Sequence, residues 1–257
     1  MTKPYFDSEL PRVFAHRGLA TSAPENTLAA FRAAVDLGVQ YVETDVHGSK
    51  DGFAVISHDP DLTRVAGNAS AVSDYRMSEL GAIDLGGGQN FSSLAQALDA
   101  FPDTRFNIDI KSADAIAPTI AAIMAAKAVG RVLVTSFSEA RRLAAVRELP
   151  GVATSTGARR FASALASATF ARSAALASTL REIDCVQVPT HYGPLRITTP
   201  RIIRRLHLAG VEIHVWTIND AVTMHRLLDL GIDGLVTDRA DIAIAVLAER
   251  RRSHFPA

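Results

Sequence analysis

Short apolar runs alternate along the chain with longer segments whose apolar residues recur every three or four positions. The short runs read as strands: RVFAH (12–16), YVETDV (41–46), FNIDI (106–110), RVLVTS (131–136), VATS (152–155), CVQV (185–188), EIHVWT (212–217) and GLVTD (234–238). Between them lie segments such as NTLAAFRAAVDLG, SEARRLAAVRELP and DAVTMHRLLDLG, which carry helical spacing and stop at Gly or Pro. Alternating strand and helix units of this kind predict an α/β fold, a closed (β/α)8 barrel of the TIM type, with a doubly wound sheet as the alternative. The Ala- and Ser-rich tract from Gly157 to Leu180 is read as one more helical layer. No linker divides the chain, so residues 1–257 are expected to form a single barrel domain.

One run breaks the parallel rhythm. FAVIS (53–57) follows Asp45 too soon for a parallel crossover, which needs about a dozen residues. A β-hairpin extending strand 2 is the alternative, and Asp51-Gly52 is a suitable two-residue turn. With those two residues as the loop, Asp45 faces His58 directly. Side chains alternate along a strand, so Glu43, Asp45 and His47 share a face.

Composition narrows the class. Hydrophobic residues make up 48% and charged residues 21% of the 257, as in a folded globular protein. Lys plus Arg and Asp plus Glu are 27 each, which supplies no basic field for nucleic acid or an anionic membrane. The single cysteine, Cys185, rules out an internal disulfide and reads as a core thiol. The N-terminal residues have no signal-peptide core, and no apolar run is long enough to span a bilayer. A cytoplasmic protein without stable membrane insertion is expected. The cluster Arg250, Arg251 and Arg252 reads as a solvated helix end.

Polar residues recur at predicted strand ends, where this barrel architecture builds its active sites. His16 and Arg17 end strand 1, Asp109 and Lys111 end strand 3, and Trp216 ends strand 7. Glu43, Asp45 and Asp109 are hard oxygen donors suited to one Ca²⁺ or Mg²⁺. His16 and His58 suit a general acid and base pair near neutral pH. Arg17 and Lys111 can hold a phosphate and a developing oxyanion. Trp216 offers an apolar wall to the rest of a substrate, and His47 is a supporting residue. The set suits hydrolysis of an anionic phosphate ester better than hydride transfer or carbonyl chemistry.

These residues fall into motifs that closely resemble the glycerophosphodiester phosphodiesterase family: His16-Arg17-Gly18, Pro24-Glu25-Asn26-Thr27, Glu43-Thr44-Asp45 and His58-Asp59. DLTR (61–64), FNIDIK (106–111), TSF (135–137), VWTIN (215–219) and GLVTD (234–238) continue the match over nearly the whole chain. The resemblance implies a distorted barrel with one divalent cation, cleaving glycerophosphodiesters to glycerol 3-phosphate and an alcohol. By matched motif, His16 and His58 would be acid and base. Glu43, Asp45 and Asp109 would bind metal, and Arg17 and Lys111 the phosphate. It also implies a route through a 1,2-cyclic phosphate, with the glycerol 2-hydroxyl attacking first.

Where the family commonly has Glu, this chain has Asp109, one methylene shorter. The segment from Pro60 to Gly88 is short, which points to an open site and loose substrate choice. A lysophospholipase D or sphingomyelinase-D-like phosphodiesterase resembles the same motifs, and a catalytically silent phosphate-binding barrel is a further alternative. A monomer or homodimer is compatible with the pattern.

Overall fold

In the computed structural model, which describes residues 3–254, the short apolar runs are strands: β1 (Arg12–His16), β2 (Tyr41–Gly48), β3 (Ala54–Ile56), β4 (Arg105–Ile110), β5 (Val132–Thr135), β6 (Ala153–Thr154), β7 (Cys185–Val188), β8 (Glu212–Val215) and β9 (Gly234–Thr237). They form one sheet in the order β6-β5-β4-β2-β1-β9-β8-β7, with β3 attached to β2 alone. Every neighbouring pair along that order is parallel. A parallel bridge between Ser155 and Cys185 joins the two end strands, and the Asp184 N–H donates to Thr154 O at 3.1 Å. The sheet is thus a nearly closed barrel, held at its seam by fewer bonds than elsewhere. The expected domain ran over residues 1–257; residues 1–2 and 255–257 lie outside the described residues.

The helices are α1 (Leu28–Asp36), α2 (Leu94–Ala100), α3 (Ile116–Ala125), α4 (Glu139–Glu148), α5 (Ala158–Thr169), α6 (Ser173–Thr179), α7 (Pro200–Leu208), α8 (Ala221–Asp229) and α9 (Ala240–His254). Side-chain oxygens of Thr27, Ser93, Ser138, Thr199 and Asp220 accept N–H groups in the first turns of α1, α2, α4, α7 and α8. Each such cap stabilises its helix by about 1 kcal/mol. The Ala- and Ser-rich tract divides into α5 and α6 around Ala171, whose φ is 59°. No helix among the described residues is long and apolar enough to cross a membrane.

Strand alternation divides the core in two. Outward residues such as Val42, Ile108, Val134 and Val186 pack under the helices. Inward residues Phe14, Tyr41, Leu133, Ala153, Cys185 and Val236 fill the barrel, with Tyr5 and Phe6 packed against them at the strand N-terminal end. Tyr41 Oη donates to Tyr5 O at 2.8 Å, and Arg12 donates to Phe6 O at 2.7 Å. That end is plugged. Gly234 is required by the packing: a Cβ there would lie 2.8 Å from both Phe14 Cε2 and His214 Cδ2. The thiol of Cys185 is fully buried, as its sequence context suggested.

The hairpin forms, but with a different register. Val46 pairs with Ile56, His47 with Val55 and Gly48 with Ala54, so residues 49–53 make the turn. Ser49 Oγ accepts the Phe53 N–H at 2.9 Å and donates to Asp51 Oδ1 at 2.8 Å, which closes a longer loop around Gly52 (φ 81°). Asp45 therefore faces Ser57, whose N–H donates to Asp45 O at 3.0 Å, and not His58 as the two-residue turn required. His58 lies one step beyond the paired strand.

After the hairpin, two short antiparallel pairs, Asp61–Leu62 with Asn68–Ala71 and Asp84–Gly86 with Gln89–Asn90, enclose a small apolar cluster of Val55, Leu62, Val72, Leu80 and Phe91. None of residues 60–90 lines the pocket described next.

Candidate active site

The open end of the barrel holds a cavity of about 310 Å³. Its lining includes His16, Arg17, Glu43, Asp45, His58, Asp109, Lys111 and Trp216, so every residue singled out for chemistry from the sequence reaches one space. His16, Arg17, Asp109, Lys111 and Trp216 stand near or just past strand C-termini, as expected for this fold, whereas Glu43 and Asp45 lie within β2 and His58 follows β3.

The two imidazoles are held alike. His16 Nδ1 is 2.6 Å from Asp238 Oδ1, and His58 Nδ1 is 2.7 Å from Asp59 Oδ1. A carboxylate on Nδ1 favours the tautomer with its proton there and leaves Nε2 for exchange with a ligand. Burial opposes charge on His16, but Glu43 and the bonded Asp238 outweigh it and raise its pKa above the ordinary value. Each carboxylate is in turn secured. Asn219 Nδ2 donates to Asp238 Oδ2 at 2.7 Å, and Arg64 Nε donates to Asp59 Oδ2 at 2.5 Å. His47 Nε2 lies 3.2 Å from His58 O and braces the segment carrying the second imidazole. Burial holds the His47 pKa below the ordinary value.

Between them lies a dense charge cluster. Lys111 Nζ is 2.8 Å from Asp45 Oδ1 and 2.7 Å from Asp109 Oδ2. The same-face placement of Asp109 and Lys111, two residues apart at a strand end, makes this bridge possible. Burial opposes ionisation of Asp45, yet Lys111 and Arg17 hold its carboxyl below the usual range. Asp109 is different: burial dominates and raises its pKa despite Lys111. Glu43, buried and beside Asp45, is pushed up to about 8. Burial likewise works against charge on Lys111, but the two aspartates raise its pKa.

The loop after β1 is shaped around this cluster. Arg17 takes φ 57°, a left-handed conformation that non-glycine residues rarely adopt outside constrained sites. Its N–H reaches Glu43 O at 3.0 Å and Glu43 Oε2 at 3.1 Å. Its guanidinium contacts Glu25 at 2.9 Å and Asp45 at 3.3 Å. Gly18 follows at φ 86°, where a Cβ would strike the Ala30 backbone at 2.7 Å. Asn26 closes the loop, donating to Asp45 Oδ2 at 3.1 Å and accepting from Thr44 Oγ1 at 2.9 Å.

One wall of the cavity is aromatic. Trp216 meets Phe137 edge-on with ring centroids 6.2 Å apart, and Phe161, Pro189 and Tyr192 continue the surface. Sequence reasoning identified only Trp216 here. It also assigned no role to Glu25, Asn26, Asp59, Asn219 or Asp238, although each stands inside a motif it recognised. Motif membership was the available signal; which atom each side chain holds was not.

The donor chemistry fits a divalent cation. Glu43 is a buried carboxylate whose Oε2 lies 3.9 Å from His16 Nε2, and Asp109 Oδ1 is buried without a partner. Hard oxygen atoms in this state suit Ca²⁺ or Mg²⁺. In the geometry here Lys111, not a shared point, links Asp45 and Asp109. Among the described residues, no three His, Cys, Asp or Glu side chains are grouped to hold a metal ion.

Residues 16–242 match the model of the glycerophosphoryl diester phosphodiesterase family. The chain is 42% identical over 238 residues to "Probable glycerophosphodiester phosphodiesterase 2" of Mycobacterium tuberculosis, covering 92% of this chain and 90% of that protein. The crystal structure of glycerophosphodiester phosphodiesterase from Agrobacterium tumefaciens superposes with a TM-score of 0.78 at 25% identity, over 93% of this chain and all of that one. A phosphodiesterase from Oleispira antarctica, solved in complex with the product sn-glycerol-3-phosphate, shares the fold with a TM-score of 0.74 at 23% identity, over 93% of this chain and 97% of that one.

Proposed function

Because this chain belongs to the glycerophosphoryl diester phosphodiesterase family, and is a phosphodiesterase by that membership, we propose that it hydrolyses glycerophosphodiesters to sn-glycerol 3-phosphate and an alcohol by histidine acid–base catalysis. The observation that carries this reading is the pair of imidazoles at one cavity, each tied at Nδ1 to a carboxylate. The product bound by the Oleispira relative, which shares the barrel, supports the choice of substrate.

One imidazole takes the proton of the attacking hydroxyl, the glycerol 2-hydroxyl or, to open the cyclic phosphate this gives, water, as the bond to phosphorus forms. The other donates a proton to the alkoxide as its bond to phosphorus breaks. Such proton transfers contribute roughly 10²–10⁴-fold to rate. Arg17 and Lys111 hold the phosphoryl oxygens and offset the charge that develops on them; each has N–H groups beyond those used on carboxylates. Glu43, Asp45 and Asp109 would hold a Ca²⁺ or Mg²⁺ ion, which when bound supplies Lewis-acid stabilisation of the phosphate. Asn26 and Lys111 orient Asp45, while Asp238 and Asp59 fix the imidazoles. Trp216 packs against the carbon skeleton of the substrate.

The test is release of sn-glycerol 3-phosphate from glycerophosphocholine, first with metal-stripped protein and then with Ca²⁺ or Mg²⁺ restored. His16→Ala and His58→Ala should each lower turnover by about 10²–10⁴-fold while leaving the thermal midpoint nearly unchanged. Near-normal turnover in both variants would sink the mechanism.

A further inference from the structure

The pocket floor carries polar atoms for which phosphoryl transfer has no use. Asn107 precedes Asp109 by two residues on β4, so it faces inward one layer deeper, at the level of Glu43. Gln187 occupies an inward position of β7 directly above the core residue Cys185. Both line the cavity. Asn107 is 2% exposed and its Oδ1 accepts no hydrogen bond. The Nε2 of Gln187 is equally shielded and donates none.

Buried polar atoms without partners are rare because their desolvation is uncompensated, and at a binding site the ligand is the natural partner. These two are of opposite sense, one acceptor and one donor. An alcohol hydroxyl answers both, since it donates its proton and accepts on its oxygen. A phosphate oxygen would meet Asn107 Oδ1 as a second acceptor and be repelled. The phosphate is instead served by Arg17 and Lys111 nearer the strand ends. Toward the mouth, Phe137 is 60% exposed and gives a polyol nothing to bond with.

We propose that Asn107 and Gln187 form the subsite for the terminal hydroxyl of the substrate's glycerol, the hydroxyl farthest from phosphorus. The substrate then enters glycerol first. Its alcohol group is left against the aromatic wall at the mouth, facing solvent. The assignment rests on the glycerophosphodiester reading above and adds the orientation of the substrate and two specificity-determining residues.

The experiment compares glycerophosphocholine with the analogue built on propane-1,2-diol, which keeps the 2-hydroxyl and lacks the terminal one. The wild-type protein should favour the glycerol compound by about 10–100-fold in kcat/KM, the range expected when a buried donor and acceptor lose their partner. In Gln187→Leu and in Asn107→Leu that ratio should fall by at least about threefold, because each variant removes one of the two polar atoms that the terminal hydroxyl satisfies. Asn107 is the more buried, so Gln187→Leu decides alone if Asn107→Leu does not fold. A wild-type protein indifferent to the terminal hydroxyl overturns the subsite, as do variants that slow on both substrates yet keep the full ratio. A wild-type protein that releases no glycerol 3-phosphate from glycerophosphocholine defeats the phosphodiesterase reading itself.

Discussion

Replacing Lys111 with Met keeps the length of the side chain and removes the charge that joins two buried carboxylates. Lys111 Nζ lies 2.8 Å from Asp45 and 2.7 Å from Asp109, and the three side chains are 18%, 2% and 8% exposed. Solvent screening is therefore small, and the case is that of a buried pair broken from one side, which costs about 3–5 kcal/mol. For a chain near this size each kcal/mol moves the thermal midpoint by about 2–4 °C, so Lys111→Met should melt about 6–20 °C lower at pH 7.5 with EDTA present. The pH dependence has a definite sign. Asp45, held low, contributes stability above the ordinary carboxylate range and loses it as pH falls through its depressed pKa. Glu43, raised to about 8, contributes stability below its unfolded value that is lost as pH rises through about 8. Removing Lys111 weakens the first contribution, leaving Arg17, and strengthens the second effect, so the gap from wild type should narrow toward pH 5. Lys111→Arg, which retains the charge, should lose much less. A midpoint for Lys111→Met within about 2 °C of wild type at pH 7.5 would refute the claim that this lysine neutralises the cluster.

Two further perturbations probe the imidazole support and the barrel interior. Asp238→Asn removes the carboxylate on His16 Nδ1 but leaves the ring in place, so kcat on glycerophosphocholine should fall by about 10–100-fold, part of what the acid–base residue itself contributes. Since Asp238 helps raise the His16 pKa, the limb of the pH–rate profile set by His16 should move to lower pH; an unchanged kcat and limb would remove Asp238 from the machinery. Gly234→Ala drives a methyl into Phe14 and His214 and should cost about 1–3 kcal/mol, read as a lower thermal midpoint, whereas a wild-type midpoint would show that the interior has slack.

The strands and helices were legible because their periodicity reflects burial directly. β1 and β7 occupy the residues their apolar runs marked, since both faces of a barrel strand are covered and each run ends where the cover ends. The runs assigned to β5, β8 and β9 were too long by a residue or two at the rim. Ser136, Trp216, Thr217 and Asp238 continue the strand pattern in sequence but leave the ladder to meet the cavity or its supports. Charged residues at strand ends were likewise a readable signal, because alternation fixes which of them share a face. Supporting contacts were not readable. His16 and Asp238 are 222 residues apart, and only closure of the barrel between β1 and β9 brings them together. Asn107 and Gln187 stand at inward positions that alternation could identify, but nothing in their spacing distinguishes an unpartnered amide from a paired one.

The hairpin shows where the pairing argument stops. A change of one residue in register should turn every side chain of β3 to the opposite face. The register did change by one, and Asp45 faces Ser57, yet His58 still lines the cavity with Asp45. It does so because the strand ends at Ile56, and from Ser57 onward the chain is directed by other bonds. The Ser57 hydroxyl donates to Asp59 O at 3.0 Å, Asp59 holds the His58 ring, and His47 meets His58 O. The imidazole is thus positioned by a local network just past the ladder, as His16 and Lys111 are positioned at or beyond the ends of theirs. Register arithmetic locates such a residue only to the nearest strand end. The hydrogen bonds of the segment beyond decide which way it faces, and here those bonds come from Ser57, Asp59 and His47, close to His58 in sequence or across the hairpin.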